Sequence, residues 1–215
     1  MSAGRAVVTG ASRGVGAALL KALQGDGWEA AGTSTRGGAG LIPLDLLDPD
    51  PGPLRDAAGD RLDLLVCNAG VLLEEDGERL EDGFHAALWD RTFRINVTGA
   101  FLCVQACLPA LRAARGRVMI ISSQLGSSEV RHAGRPIYRA SKAAASNLAV
   151  TLSQMLAGEV AVAAYHPGWV RTDMGGTRAD IAAGESAAGL LDRAAELGPE
   201  TSGGFYTWDG RPHPF

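Results

Sequence analysis

An apolar run, RAVVT (5–9), passes through TGASRGVG straight into a helix-forming stretch over 14–25. A glycine-rich turn between a strand and a helix restricts what the rest of the chain can build. Glycine lets the backbone turn tightly and lets a ligand approach without a Cβ in the way. The helix that starts there aims unpaired N–H groups and the positive end of its dipole at the turn. A ligand-free turn is compatible with a lone G-x-x-x-G-x-G. Directly after the first strand of an alternating chain, the pattern favours the phosphates of a nucleotide.

The alternation is sustained. WEAAGTS (28–34) reads as a second strand, less β-prone than usual, and GLIPLD (40–45) contains a third. DPDPGP is a connection with a short helix after it. LDLLVCNAG (62–70) supplies a fourth strand, and a long helix covers much of 85–114. GRVMIISS (116–123) is the fifth strand, followed by the helix that carries YRASK (138–142). EVAVAAYHPG (159–168) is the sixth, then come a helix near 184–197 and a last strand, GGFYTW (203–208). Strands alternating with helices imply right-handed crossovers and a parallel sheet. Continuously apolar strands such as VMII fit a sheet covered on both faces. The expected fold class is α/β: a single doubly wound parallel sheet of about seven strands with helices on both faces, in one domain spanning 1–215. At 215 residues, 46% hydrophobic and 20% charged, the chain has the size and balance for one such core.

The net charge of −4, without a dense Lys/Arg run, gives no footprint for nucleic acid or an anionic membrane. Cys67, Cys103 and Cys107 form no disulfide framework. Cys103 and Cys107 share a helix face, but no further ligands at compatible spacing accompany them, so buried inert thiols in a reducing compartment are expected and no metal. The N-terminus shows no long apolar leader, and no uninterrupted apolar run reaches membrane-spanning length, which suggests a cytoplasmic protein.

In this architecture ligands bind beyond the carboxyl ends of the strands. The polar or glycine-rich residues there are TGASRGVG, TSTR, LD, NAG, ISSQLG and HPGWVRTDM. The tyrosine and lysine of YRASK stand four positions apart, one helical turn, on one face. Alone, such a pair reads first as a surface hydrogen bond or chance; in the chemical reading the ammonium would stabilise a phenolate for acid/base work. Poising a phenol near pH 7 needs about 3 pKa units, or roughly 4 kcal/mol. A lysine about 5 Å away supplies roughly 0.8 kcal/mol in water and about 3 kcal/mol at an effective dielectric of 20. The pair must therefore be desolvated and helped by further groups.

The ordered set of Thr9–Gly16 as T-G-x-x-x-G-x-G, NAG at 68–70, Asn96 in INVTG, ISS at 121–123, YRASK and PGWVRT (167–172) resembles the short-chain dehydrogenases/reductases of the compact, single-domain Rossmann type. The YRASKAA helix and the ending SGGFYTWDGRPHPF more narrowly resemble the sniffer-like and C-factor-like carbonyl reductases. The resemblance implies a nicotinamide cofactor, with Tyr138 as acid/base and Lys142 holding the nicotinamide ribose and lowering the tyrosine pKa. Ser123, taken over its neighbour Ser122, holds the substrate oxygen, and Asn96 supports Lys142 through a water relay. It further implies cofactor contacts from Gly10, Ser12, Arg13, Gly14, Val15 and Gly16 in the glycine loop, and from Asp45 and Asn68, Ala69 and Gly70 on the adenosine side. Pro167, Gly168, Val170 and Thr172 lie on the nicotinamide side.

At the end of the second strand an acid would accept bonds from the ribose hydroxyls of NAD and repel a 2′-phosphate. AGTSTRGG contains none: Ser34 takes the acidic position and Arg36 follows, with Arg13 a second cation. This resembles the NADP(H)-preferring pattern. The resemblance also implies a small carbonyl or alcohol substrate, a homodimer or homotetramer, and a substrate loop over 173–184 whose glycines fit a lid. His85, His132, His166 and His213 are read as structural or solvated, with His132 the one whose loop could border the substrate. Two rivals stand beside a reductase: a dinucleotide-binding signalling or redox-sensing protein with little turnover, and an epimerase or dehydratase on the same scaffold.

Overall fold

The computed structural model describes residues 4–75, 77–81 and 83–215. Strands β1 (Arg5–Val8), β2 (Glu29–Ser34), β3 (Ile42–Pro43), β4 (Leu64–Cys67), β5 (Arg117–Ile121), β6 (Ala161–His166) and β7 (Phe205–Thr207) form one sheet in the order β3-β2-β1-β4-β5-β6-β7. Every pairing is parallel, with Val7 level with Ala31 on one side and Leu65 on the other. The order reverses between β1 and β4, so the loops after these two strands diverge and leave a crevice at their carboxyl ends.

Successive residues of a strand face opposite sides, and here both sides are apolar. Val7, Leu65, Val118, Ile120 and Val162 face α2 (Gly52–Ala58), α4 (Ala100–Ala114) and α5 (Pro136–Met155) through Leu54, Leu111 and Leu152. Val8, Leu64, Val66, Met119 and Tyr165 face α1 (Gly14–Gly25) and α6 (Ala183–Glu196) through Leu19, Leu23 and Leu190. The weak β-propensity of the second strand has a packing cause. A Cβ on Gly32 would stand 2.6 Å from Leu20 and 2.7 Å from Ala11, so the small residues let α1 lie close.

Several boundaries differ from the sequence reading. The third strand shrinks to two residues, because Pro43 cannot donate to a ladder and is tolerated only at the sheet edge. The 85–114 helix divides into α3 (Ala86–Phe93), a π-helical turn over Arg94–Gly99, and α4. By length and composition, Ala86–Ala114 is long and apolar enough to cross a membrane, its most apolar 18 residues having a mean hydropathy of 1.4. Looking only for uninterrupted apolar runs misses it, since its charges are few and spread. Its Cys103, Val104, Cys107 and Leu111 already pack in the core.

Candidate active site

At the end of β1, Gly10 takes a positive φ of 66° against Ala69, where a Cβ would stand 2.8 Å from the Ala69 Cα. Gly16 faces the Gly10 carbonyl and the Asn68 amide so closely that any side chain would collide with both. The Asn68 Nδ2 donates to the carbonyls of Thr9 (3.0 Å) and Gly10 (3.1 Å). The Thr9 hydroxyl accepts from the amides of Asn68 (3.0 Å) and Ala69 (3.1 Å). NAG therefore braces the glycine loop from behind. The N-cap residue of α1, Arg13, makes no side-chain capping bond, and no acid occupies the first turn. Ser12 is exposed, while Val15 packs against the α1–α6 core. The cradle fits an anion.

Ser34, partly buried, donates to the Gly37 carbonyl at 3.2 Å, and Arg36 is exposed just beyond it. Asp45 is exposed and accepts the Leu47 amide at 3.0 Å. Arg13 departs from the sequence reading in one respect. Its guanidinium pairs at 2.7 Å with Asp173, 160 residues away, on the exposed surface. An acid does stand near this cation, delivered by the 173–184 segment from far along the chain.

On the other side of the crevice, Gly168 passes close to Ile181 and Trp208, and Val170 is buried and bridges to Ile181. The Pro167 carbonyl accepts from Ser186 of α6 at 2.6 Å. The Thr172 side chain would meet a Cβ on Gly14 at 3.2 Å, and its hydroxyl accepts the Gly175 amide at 3.2 Å. The 173–184 segment is anchored at its base: Arg171 Nη1 donates to the carbonyls of Ala179 (2.9 Å) and Asp180 (2.7 Å).

Between these walls, α5 opens with Pro136, whose fixed φ suits a first helical position. Tyr138 and Lys142 follow in its first two turns, 8% and 5% exposed, with Nζ 5.7 Å from the ring centre. The Lys142 ammonium donates to the Ile121 carbonyl at 2.8 Å, and burial pushes its pKa down to about 8. A Cβ on Gly70 would stand 3.3 Å from Nζ and 3.2 Å from the Asn96 Oδ1, so NAG also walls this side. Burial raises the Tyr138 pKa, opposed by a hydrogen bond from Ser123 and by the Arg135 charge. In the protein alone the phenol is thus held in its protonated form, contrary to the expected lowering.

The two serines separate by their partners. Ser122 is buried, donates to the Lys142 carbonyl at 2.9 Å and meets Ser146 at 2.7 Å, a packing role. Ser123 turns toward Tyr138 and accepts the Leu125 amide at 3.2 Å. Asn96, in the π turn, bonds both main-chain groups of Val71, accepting from the amide at 2.8 Å and donating to the carbonyl at 3.0 Å. It also donates at 2.9 Å to Ser141, which donates to the Tyr138 carbonyl at 2.8 Å.

Three neighbours were not legible in the sequence. The Glu74 carboxylate, 6% exposed, accepts the amides of Ile137 (2.8 Å) and Tyr138 (2.7 Å), capping α5 from a distant loop. Met174 places its sulfur 4.0 Å from the Tyr138 hydroxyl. The Trp169 indole donates to the Gly175 carbonyl at 2.9 Å. His132 is exposed on its loop.

The chain belongs to the short-chain dehydrogenase family, whose model matches residues 55–181. It is 37% identical to C-signal of Myxococcus xanthus over 164 residues, 72% of this chain and 93% of that protein. It is 35% identical to a cis-2,3-dihydrobiphenyl-2,3-diol dehydrogenase of Pseudomonas sp. (strain KKS102) over 56% of this chain, and spans only 43% of that protein. Among solved structures, the NADPH-bound carbonyl reductase from chicken fatty liver superposes with a TM-score of 0.84 at 27% identity, covering 100% of both chains. The carbonyl reductase Sniffer of D. melanogaster reaches 0.86 at 24% identity, covering 98% of this chain and 99% of that one, a likeness of fold. The short-chain dehydrogenase/reductase class and the seven-stranded Rossmann architecture expected from the sequence are both met.

Proposed function

We propose that this protein is an NADPH-dependent carbonyl reductase, acting between a small carbonyl compound and its alcohol. The observation that carries the reading is the buried Tyr138–Lys142 pair, with Ser123 on the phenol, facing a glycine cradle across the crevice. The NADPH-bound chicken liver enzyme, alike over its full length, supports the choice of cofactor. The loop from Gly10 to Gly16, with Ser12, Gly14 and Val15, would hold the diphosphate on the N-terminus of α1. Arg13 and Arg36, beside Ser34, would hold the 2′-phosphate. Asp45 and Asn68–Gly70 would line the adenosine, and Pro167, Gly168, Val170 and Thr172 the nicotinamide. When bound, the cofactor supplies the hydride.

Tyr138 then donates its proton to the carbonyl oxygen as the C=O bond becomes C–O–H. A phenol kept protonated by burial is the form this direction needs. Ser123 shares the oxygen's developing charge, and the Lys142 ammonium offsets that of the phenolate left behind while holding the ribose. Support of Lys142 by Asn96 through water would use the main-chain carbonyl, because the side-chain amide is committed to Val71 and Ser141. A cytoplasmic homodimer or homotetramer, joined through α4 and α5, completes the reading.

The kinship to C-signal favours a second reading, a dinucleotide-binding signalling protein with little turnover. One experiment separates the two. NADPH oxidation is followed with a panel of aldehydes, ketones and quinones, for the parent and for Tyr138→Phe. A reductase turns over a member of the panel, and the variant loses about 10²-fold or more in rate while binding NADPH as before. A sensor shows tight NADPH binding with negligible turnover in both. Near-parental turnover by Tyr138→Phe would overturn the role of the tyrosine.

A further inference from the structure

Beside the catalytic residues lies a hollow of about 340 Å³, between the turn after β5, the 168–181 loop and the C-terminal tail. Its apolar walls are Trp169, Trp208, Ile181 and Pro212, and its polar ones include His166 and His213. It shares a wall with the catalytic site. Gln124, on its lining, follows Ser123, and the Trp169 indole bonds Gly175, next to the Met174 that lies against the Tyr138 hydroxyl.

His166 ends β6 at 8% exposure, and its Nδ1 is buried with no hydrogen-bond partner among the described residues. Buried polar atoms are nearly always paired, so an orphan in a residue that lines the hollow marks an unmet hydrogen bond at this wall. Burial, reinforced by His213 and Arg211 and opposed by Asp209, holds the His166 pKa down to about 4, so the ring is neutral at ordinary pH. The His213 ring stands edge-on to it at 6.0 Å, with Nδ1 2.8 Å from the Pro214 carbonyl. A carbonyl only accepts, so that Nδ1 carries the proton, and in the neutral ring Nε2 is left as an acceptor. The charges at the rim do not suit an anion. Arg211 is paired with Asp209 at 2.9 Å, and Asp180 adds a second carboxylate. Two indoles on the walls suit an aromatic ring, and the imidazoles suit a neutral group that can donate.

We propose that this hollow is the subsite for the part of the substrate remote from the reacting carbonyl, and that it selects a neutral planar ring bearing a hydroxyl, phenol-like in chemistry; the assignment rests on the reductase reading. The test is calorimetric titration of the NADPH-loaded protein with three non-reducible probes: 4-ethylphenol, ethylbenzene and 4-ethylbenzoate. The phenol should bind at least about tenfold tighter than the other two. His166→Phe should remove that preference, and His213→Gln, at a less buried position, should weaken it severalfold while circular dichroism stays parental. Tyr138→Phe, outside the hollow, should keep the preference while losing turnover. Equal binding of phenol and ethylbenzene by the parent, or parental preference in a folded His213→Gln protein, would overturn the subsite even where carbonyls are reduced. Phenol preference that follows the histidines in a protein reducing no carbonyl would keep the hollow as a phenol site and remove the reductase reading.

Discussion

Lys142 is a cation buried at 5% exposure whose ammonium donates to the Ile121 carbonyl. Its pKa falls from 10.5 to about 8 because burial disfavours the charge. Between these values the unfolded chain binds more protons than the folded one, so stability rises with pH from about 8 to 10.5, and the cost of burying the charge is fully present below 8. Lys142→Met should therefore stabilise the ligand-free protein at pH 7. The gain should be about 1–2 kcal/mol once the lost bond to the carbonyl is set against the relieved burial. The gain should shrink toward pH 10, while NADPH binding is lost. Urea unfolding at the two pH values checks this, and a variant less stable than the parent at pH 7 would contradict it. The proximity of Tyr138 and Lys142 was legible because a four-residue spacing is one helical turn. Glu74 was not, because its partners are main-chain amides 63 and 64 positions away, which no local pattern encodes.

Elements meet at the site in a way that couples the glycine loop to the segment after β6. Arg13 bonds Asp173, and the Thr172 side chain packs against Gly14, so the loop proposed as a lid begins on the proposed phosphate cradle. The Arg13–Asp173 pair is exposed and so contributes little to stability, about 0–1 kcal/mol. Under the NADPH reading it would compete with a 2′-phosphate for the same guanidinium. Asp173→Asn should tighten NADPH binding about two- to fivefold, up to about 1 kcal/mol, and leave NADH nearly unchanged. Fluorescence titration of both cofactors measures it; equal tightening of both would assign Asp173 to the lid alone. The helices and inner strands were legible through their apolar periodicity. The π turn at Arg94–Gly99 was not, since no residue type in RINVTG marks an i→i+5 hydrogen bond.

At the scale of the molecule, the β1–β4 reversal and both covered faces of the sheet follow from the strand–helix alternation, which is why the fold could be read before any contact was known. The glycine cradle and the proposed Ser123 follow strand ends, and Tyr138 and Lys142 stand one helical turn apart in α5. The hollow was not legible as a whole, because the C-terminal tail with Pro212 and His213 joins Gln124 and Trp169 there from outside any strand-end motif. Cofactor choice can be measured on the whole molecule, since a ligand that binds only the folded state raises stability by RT ln(1 + [L]/Kd). With Arg13 and Arg36 proposed to hold the 2′-phosphate and Ser34 in place of an acid, NADPH should bind at least about tenfold tighter than NADH, a difference of about 1.4 kcal/mol. For a chain of this size that corresponds to a melting temperature about 3–5 °C higher with NADPH than with NADH at equal saturating concentrations. Ser34→Asp places a carboxylate against the phosphate and should close or invert the gap while leaving the unliganded melting temperature within about 1 °C, because the position is only partly buried. Equal shifts by the two cofactors in the parent would remove the NADPH assignment and leave the dinucleotide cradle without a preference.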